Sequence, residues 1–238
     1  MYKNKKILAI VAAAGNNTKM IGKDYTEYEN IDDKPLLAYS LNVLQRTDYI
    51  DYIYLIVNEE DMEFCKDSII NRYNLNKINN IIKGGKNRQE SILKALNAID
   101  HKVDYILTHN ASRPFIKEET LDRLIKSIDK NLASVLALPS RENIKIVADD
   151  GRILSTPDKA TLYLTQTPQI FLSGILLSAY QNADEYGLNT KDDSNLVELL
   201  GFPVNIVNGD RNNIDLKMPL DYTVTEVIKE LGNEKLEY

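Results

Sequence analysis

Apolar positions along the chain fall into short, mostly continuous runs at Ile7 to Ala13, Ile53 to Val57, Ile78 to Ile82, Tyr105 to Thr108, Ser134 to Leu138 and Val204 to Val207. Continuous runs, rather than alternating ones, predict strands buried on both faces, as in a mainly parallel sheet. Between them, helical spacing predicts helices at Pro35 to Gln45, Asp61 to Tyr73, Gln89 to Ile99 and Glu118 to Ile128; Ile92, Leu96 and Ile99 mark one face of the third. This alternation spells repeated β-α-β units and hence an α/β fold. From Ser140 to Thr165 the texture changes, and short β-like pieces flank Ala148-Asp-Asp-Gly-Arg152, a hairpin signal. That stretch predicts a β-arm, at about 140–165, projecting from the sheet. Helices at Leu172 to Tyr186 and Asp193 to Leu200, the last strand and a closing helix near Asp221 to Leu231 complete the pattern. No repeat or linker divides it, so residues 1–238 read as a single domain with an excursion.

Composition narrows the class. With 238 residues and 43% apolar side chains, the chain can bury a substantial core. Thirty-five acidic against 29 basic residues give a net charge of -6, which offers no general attraction to nucleic acid or to an anionic membrane. Any polyanion must therefore be held locally. The segment Ile7 to Ala14 follows basic residues but is too short to span a bilayer, and it reads as a first strand. The single Cys65 points to a reducing, cytoplasmic setting, and two histidines with one cysteine make a zinc site of the usual ligand types improbable.

Three polar loops end predicted strands. Ala12-Ala-Ala-Gly15 and the residues after it are small enough for backbone amides to approach a phosphate. Gly84-Gly-Lys-Asn-Arg-Gln-Glu-Ser91 places two glycines, a guanidinium and a hydroxyl near a helix N-terminus. Thr108-His-Asn-Ala-Ser-Arg-Pro114 closes a third strand. Each alone also reads as an ordinary turn or solvated helix start. Together they lie on the carboxyl edge of the sheet, where open α/β folds bind ligands.

The order of these motifs resembles the CTP:polyol-phosphate cytidylyltransferases, which act on ribitol 5-phosphate or 2-C-methyl-D-erythritol 4-phosphate. The resemblance extends through Lys34-Pro35, Gln166-Thr-Pro-Gln169, Asp192-Asp193, Gly209-Asp-Arg-Asn-Asn-Ile214, Pro219 and Asp221. Residues 108–115 look closer to the ribitol branch and residues 192–198 to the methylerythritol branch. The resemblance implies a Rossmann-like three-layer α/β/α nucleotidyltransferase fold and transfer of CMP from CTP with Mg²⁺. It also implies a homodimer that exchanges the arm. By the same resemblance, Ala12, Ala13, Ala14, Gly15, Gly84, Gly85, Arg88, Ser91 and Ser112 hold the nucleotide, and Lys159 faces the acceptor phosphate.

The chain departs from that pattern at charged positions. Asn17 replaces a glycine, Lys19 an arginine, Thr26 a lysine, Asn110 an aspartate and Asp215 a lysine. Lys19 keeps the charge and loses the bidentate fork. Lys23 is a candidate substitute for the missing lysine, so Lys19 and Lys23 are the catalytic candidates. A carboxylate lost at Asn110 and gained at Asp215, with Lys217 two residues on, suggests a compensating exchange at the metal and substrate positions. Lys23 and Lys217 also read simply as solvated charges, and His109 as a packed strand-end histidine. Three functions follow: an active cytidylyltransferase, a catalytically impaired nucleotide-binding or regulatory homologue, or a nucleotidyl- or glycosyltransferase using another nucleotide.

Overall fold

The computed structural model describes residues 1–14, 28–31, 33–190 and 192–216, together with the backbone of Thr18–Met20 and Lys23–Tyr25. Gly15, Asn17, Thr26, Lys217, Pro219, Asp221 and the expected closing helix lie outside the described residues.

Seven strands form the central sheet: β1 (Ile7–Ala12), β2 (Tyr52–Val57), β3 (Ile78–Lys83), β4 (Tyr105–Asn110), β5 (Ala133–Pro139), β6 (Tyr163–Leu172) and β7 (Asn205–Asn208). Their order is β7-β5-β6-β4-β1-β2-β3. All neighbours are parallel except β6, which runs antiparallel to both β4 and β5. The mainly parallel sheet read from the apolar runs is therefore present. Strand β6 was not among the six predicted runs, because it carries Pro168 and the polar Gln166, Thr167 and Gln169, which argue against an interior strand. The sheet accommodates it with a register shift between Gln166 and Gln169 against β5.

The helices match their predicted spans to within a few residues: α1 (Leu36–Arg46), α2 (Arg88–Asn97), α3 (Glu118–Lys126), α4 (Ser173–Glu185) and α5 (Asp193–Leu199). The stretch predicted from Asp61 to Tyr73 is a short α-helix, Met62–Phe64, that widens into a π-helix, Cys65–Asn71. Strand β1 explains the layering. Ile7, Ala9 and Val11 join one core with residues of α1 and α3, while Leu8 and Ile10 join another with residues of α2, α4 and α5. Each buried aliphatic side chain contributes about 1.5–3 kcal/mol relative to exposure. Alternate residues thus point to opposite, equally apolar layers, and the strand reads as an unbroken apolar run.

The arm contains the predicted hairpin, Ile146–Val147 against Ile153–Ser155, closed over Ala148 to Arg152 with Gly151 at φ +83°. Its Ile146, Val147, Ile153 and Leu154 are each at least half exposed. Among the described residues no helix is long and apolar enough to cross a membrane.

Candidate active site

The carboxyl ends of β1, β3 and β4 bring the first two polar loops into contact. Ala13 donates its backbone N–H to Ile56 and Ala111 donates to Ala12, which fixes both strand exits. Gly84 N–H is held by Val57 O, and a Cβ on Gly84 would lie 2.4 Å from Ala14 Cβ. The glycine is there for close approach between loops, because no side chain fits. A Cβ on Gly85 would in turn meet the Glu90 side chain at 2.7 Å. Ser91 is buried; its Oγ accepts from Gly85 N–H at 2.8 Å and donates to Asn87 O at 2.8 Å. Its hydroxyl therefore shapes the loop from inside. Asn87 caps α2 by accepting from Glu90 N–H, leaving the α2 N-terminus beside the Gly84-Gly85 turn.

Arg88, the first residue of α2, reaches across the edge to Asp193 at the start of α5. Both guanidinium NH₂ groups bond the two carboxylate oxygens, the Nη2 to Oδ2 bond being 2.8 Å. Asp193 is buried, and it also accepts from Thr108 Oγ1 at 2.6 Å and from the Tyr180 hydroxyl. Burial pushes the Asp193 carboxyl up, but the Arg88 charge and these donors hold it below its ordinary value. The remaining Arg88 Nε–H donates to Asn110 Oδ1 at 2.8 Å. One side chain thereby ties α2, β4 and α5 together.

A second network occupies the other side. Ser112 Oγ donates to Asp215 Oδ1 at 2.5 Å, and Arg113 Nη2 stands 3.5 Å from Asp215 Oδ2. Arg113 also donates to Asn213 O at 2.6 Å, and Leu216 N–H to Ser112 O at 2.8 Å. Burial lowers the Arg113 pKa, and the Asp215 charge partly offsets this. Gln166 donates to the carbonyls of Asp210 and Asn213, and Asn213 Nδ2 donates to Thr167 O at 2.8 Å. Beneath them His109 is fully buried. Asn110 N–H donates to Thr167 Oγ1, whose hydroxyl lies 3.2 Å from His109 Nδ1, while Nε2 lies 3.1 Å from Arg113 O. The Arg113 carbonyl can only accept, so Nε2 carries a proton, and in the neutral ring Nδ1 accepts from the Thr167 hydroxyl. Burial and the nearby Arg113 charge bring the His109 pKa down to about 3.

The two networks enclose a polar cleft of about 140 Å³, with Arg88, Asn110, Arg113, Gln169, Asp192 and Asp215 among its walls. Asp192 caps α5 and accepts from Gln169, Thr165 and Ser194. Of the predicted residues, Arg88, Asn110 and Asp215 line this cleft, Ser112 backs Asp215, and Ala12 to Ala14, Gly84, Gly85 and Ser91 form the adjoining loops. Lys159 is elsewhere: it sits on the arm, where its Nζ contacts Arg141 O. Lys19 and Lys23 belong to a two-stranded ribbon whose register pairs Lys19 with Asp24 and Met20 with Lys23.

The expected metal ligands, Asn110 and Asp215, are both engaged by protein groups. Asn110 Oδ1 faces a guanidinium, and Asp215 is engaged by Ser112 and Arg113. No cluster of three His, Cys, Asp or Glu side chains occurs among the described residues. The two positions have separate partners, Arg88 for Asn110 and Ser112 with Arg113 for Asp215. The organising residues Thr108, Tyr180, Asp193, Thr167 and Asn213 were not singled out as site residues from sequence. Only the Asp192-Asp193 pair carried a signal, since paired acids opening a helix invite a basic partner.

A family model described as IspD, 2-C-methyl-D-erythritol 4-phosphate cytidylyltransferase, matches residues 7–230. A protein of that name from Geobacter metallireducens is 34% identical over 228 residues, covering 94% of this chain and 98% of the relative. Another from Lachnoclostridium phytofermentans is 36% identical over 226 residues, covering 94% and 96%. The crystal structure of 4-diphosphocytidyl-2C-methyl-D-erythritol synthase from Anaerococcus prevotii superposes with a TM-score of 0.84 at 28% identity, covering 95% of this chain and 99% of that one.

Proposed function

The chain belongs to the 2-C-methyl-D-erythritol 4-phosphate cytidylyltransferase family, and we propose on that footing that it transfers CMP from CTP to 2-C-methyl-D-erythritol 4-phosphate. The observation that carries this reading is the coincidence of a family match over residues 7–230 with a polar cleft at the carboxyl edge of the sheet. A phosphate oxygen of the acceptor attacks the α-phosphorus of CTP; the bond to the β-phosphate oxygen breaks and pyrophosphate leaves. The chain's contribution is positioning and fixed positive charge. Backbone amides of the Ala12 to Gly15 and Gly84-Gly85 loops hold phosphate oxygens at the α2 N-terminus. Arg88 and Ser91 shape that edge, Ser112 supports it through Asp215, and Lys19 and Lys23 supply cationic contacts. Mg²⁺, when bound, would neutralise phosphate charge; among the described residues no cluster of three His, Cys, Asp or Glu side chains stands ready to hold it.

The proposed assembly is a homodimer. Exposed Ile146, Val147, Ile153 and Leu154 on the arm support a mate, and arm exchange would carry Lys159 to the acceptor phosphate of the partner subunit. A reducing cytoplasmic setting suits the lone, buried Cys65. Pyrophosphate release tests the reading: CTP with 2-C-methyl-D-erythritol 4-phosphate should give turnover, and ribitol 5-phosphate or another nucleotide should give little. Turnover confined to ribitol 5-phosphate, or to UTP, would sink it.

A further inference from the structure

We propose that Asn110 works as a hydrogen-bond donor to an oxygen of the acceptor, held in that orientation by Arg88 and Asp193, and is not a metal ligand. The inference rests on the functional reading above and deepens it. An asparagine amide has an accepting end and a donating end, and which one faces a site depends on its neighbours. Arg88 Nε–H can only donate, and it stands 2.8 Å from the Asn110 amide, so the oxygen must face it and the NH₂ must face away. Arg88 cannot turn to release that bond. Its two terminal NH₂ groups are fastened to Asp193, and Asp193 is fixed in turn by Thr108 and Tyr180. The Asn110 backbone is equally constrained, by its N–H bond to Thr167 Oγ1 and by its register against Ala12.

The rest of the cleft shows why a donor matters at this point. Asp192 and Asp215 present acceptors, and the Asp215 charge is answered by Arg113. Among the described residues Asn110 Nδ2 has no acceptor of its own, although Asn110 lines the cleft. An aspartate here would be a cation ligand or an acceptor; the amide offers an acceptor's oxygen the opposite partner, with no added charge. Arg88 and Asp193 are positioning residues in this scheme, since they act through Asn110.

The side-chain NH₂ resonance of Asn110 in ¹⁵N-labelled protein, assigned by its loss in Asn110→Asp, reads the proposal directly. Adding 2-C-methyl-D-erythritol 4-phosphate should shift it. Mn²⁺ without nucleotide should leave it sharp. Arg88→Lys, which keeps a charge but cannot make the three-way contact, should free the amide and collapse the separation of its two protons. In turnover, Asn110→Ala should raise the KM for the acceptor about tenfold, the weight of one hydrogen bond to a charged oxygen, and leave the KM for CTP within about twofold. Broadening by Mn²⁺ alone would overturn the proposal, as would a resonance unmoved by the acceptor in an enzyme that turns over. Absence of pyrophosphate release with every acceptor is a different failure, that of the functional reading; a shift on acceptor binding would still uphold the donor.

Discussion

Gly84→Ala is the most informative single change, because the structure specifies both its damage and its remedy. The added Cβ would lie 2.4 Å from Ala14 Cβ, while its next neighbours, Ser91 Oγ and Val57 O, sit at comfortable distances of 3.4 and 3.5 Å. Among the described residues one contact therefore carries the conflict. Relieving it needs roughly 1 Å of separation between the first and second loops, which is overpacking of the kind that costs about 1–3 kcal/mol. Those loops also present the proposed phosphate-binding amides, so part of that strain should appear as weaker CTP binding, about tenfold for each 1.4 kcal/mol so expressed. Urea unfolding and calorimetry with CTP measure the two shares. The double variant Gly84→Ala with Ala14→Gly removes the opposing methyl and should recover most of both losses. Neutral behaviour of Gly84→Ala, or simple additivity in the double variant, would show that the loops do not meet as described.

Three further outcomes follow from the site and the arm. Asp215→Lys, which restores the residue the family resemblance leads one to expect, should lower activity and stability, because it sets a second cation beside Arg113 and orphans Ser112; a gain in pyrophosphate release would refute that. His109 is held near pKa 3 against an ordinary value of 6.5, so the unfolded chain binds the extra proton between those limits. Stability is then fully present above about pH 6.5 and falls with acidification, by about 3 kcal/mol between pH 7.5 and pH 4.5; urea midpoints should show this, and His109→Gln should flatten the dependence. If the chain pairs through its arm as proposed, replacing Ile146 and Val147 by serine should lower its mass in sedimentation from that of two chains toward that of one, with an unchanged mass for both proteins counting against arm exchange.

Much of the architecture was legible because continuous apolar runs have one economical explanation, a sheet covered on both sides. Strand β6 was not, since Pro168 and three polar side chains hide a strand whose polar residues face the cleft. The same difficulty applies to the site. Gly84, Arg88 and Asn110 stand out as strand-end residues, yet Asp193, which grips Arg88, lies 105 positions from it and 85 from Thr108, which bonds the same carboxylate, and only folding brings them together. Asp215 was legible as an odd charge; its attachment to Ser112 and Arg113 was not, because a hydrogen bond between residues 103 positions apart leaves no local pattern.

Transfer of CMP to 2-C-methyl-D-erythritol 4-phosphate at this cleft is the activity proposed. Incubating the full chain with CTP, Mg²⁺ and that acceptor, and following pyrophosphate together with the cytidine-containing product, measures it directly. Equal, enzyme-dependent formation of both is the predicted result. No product above the acceptor-free background, with CTP binding intact by calorimetry, would contradict it.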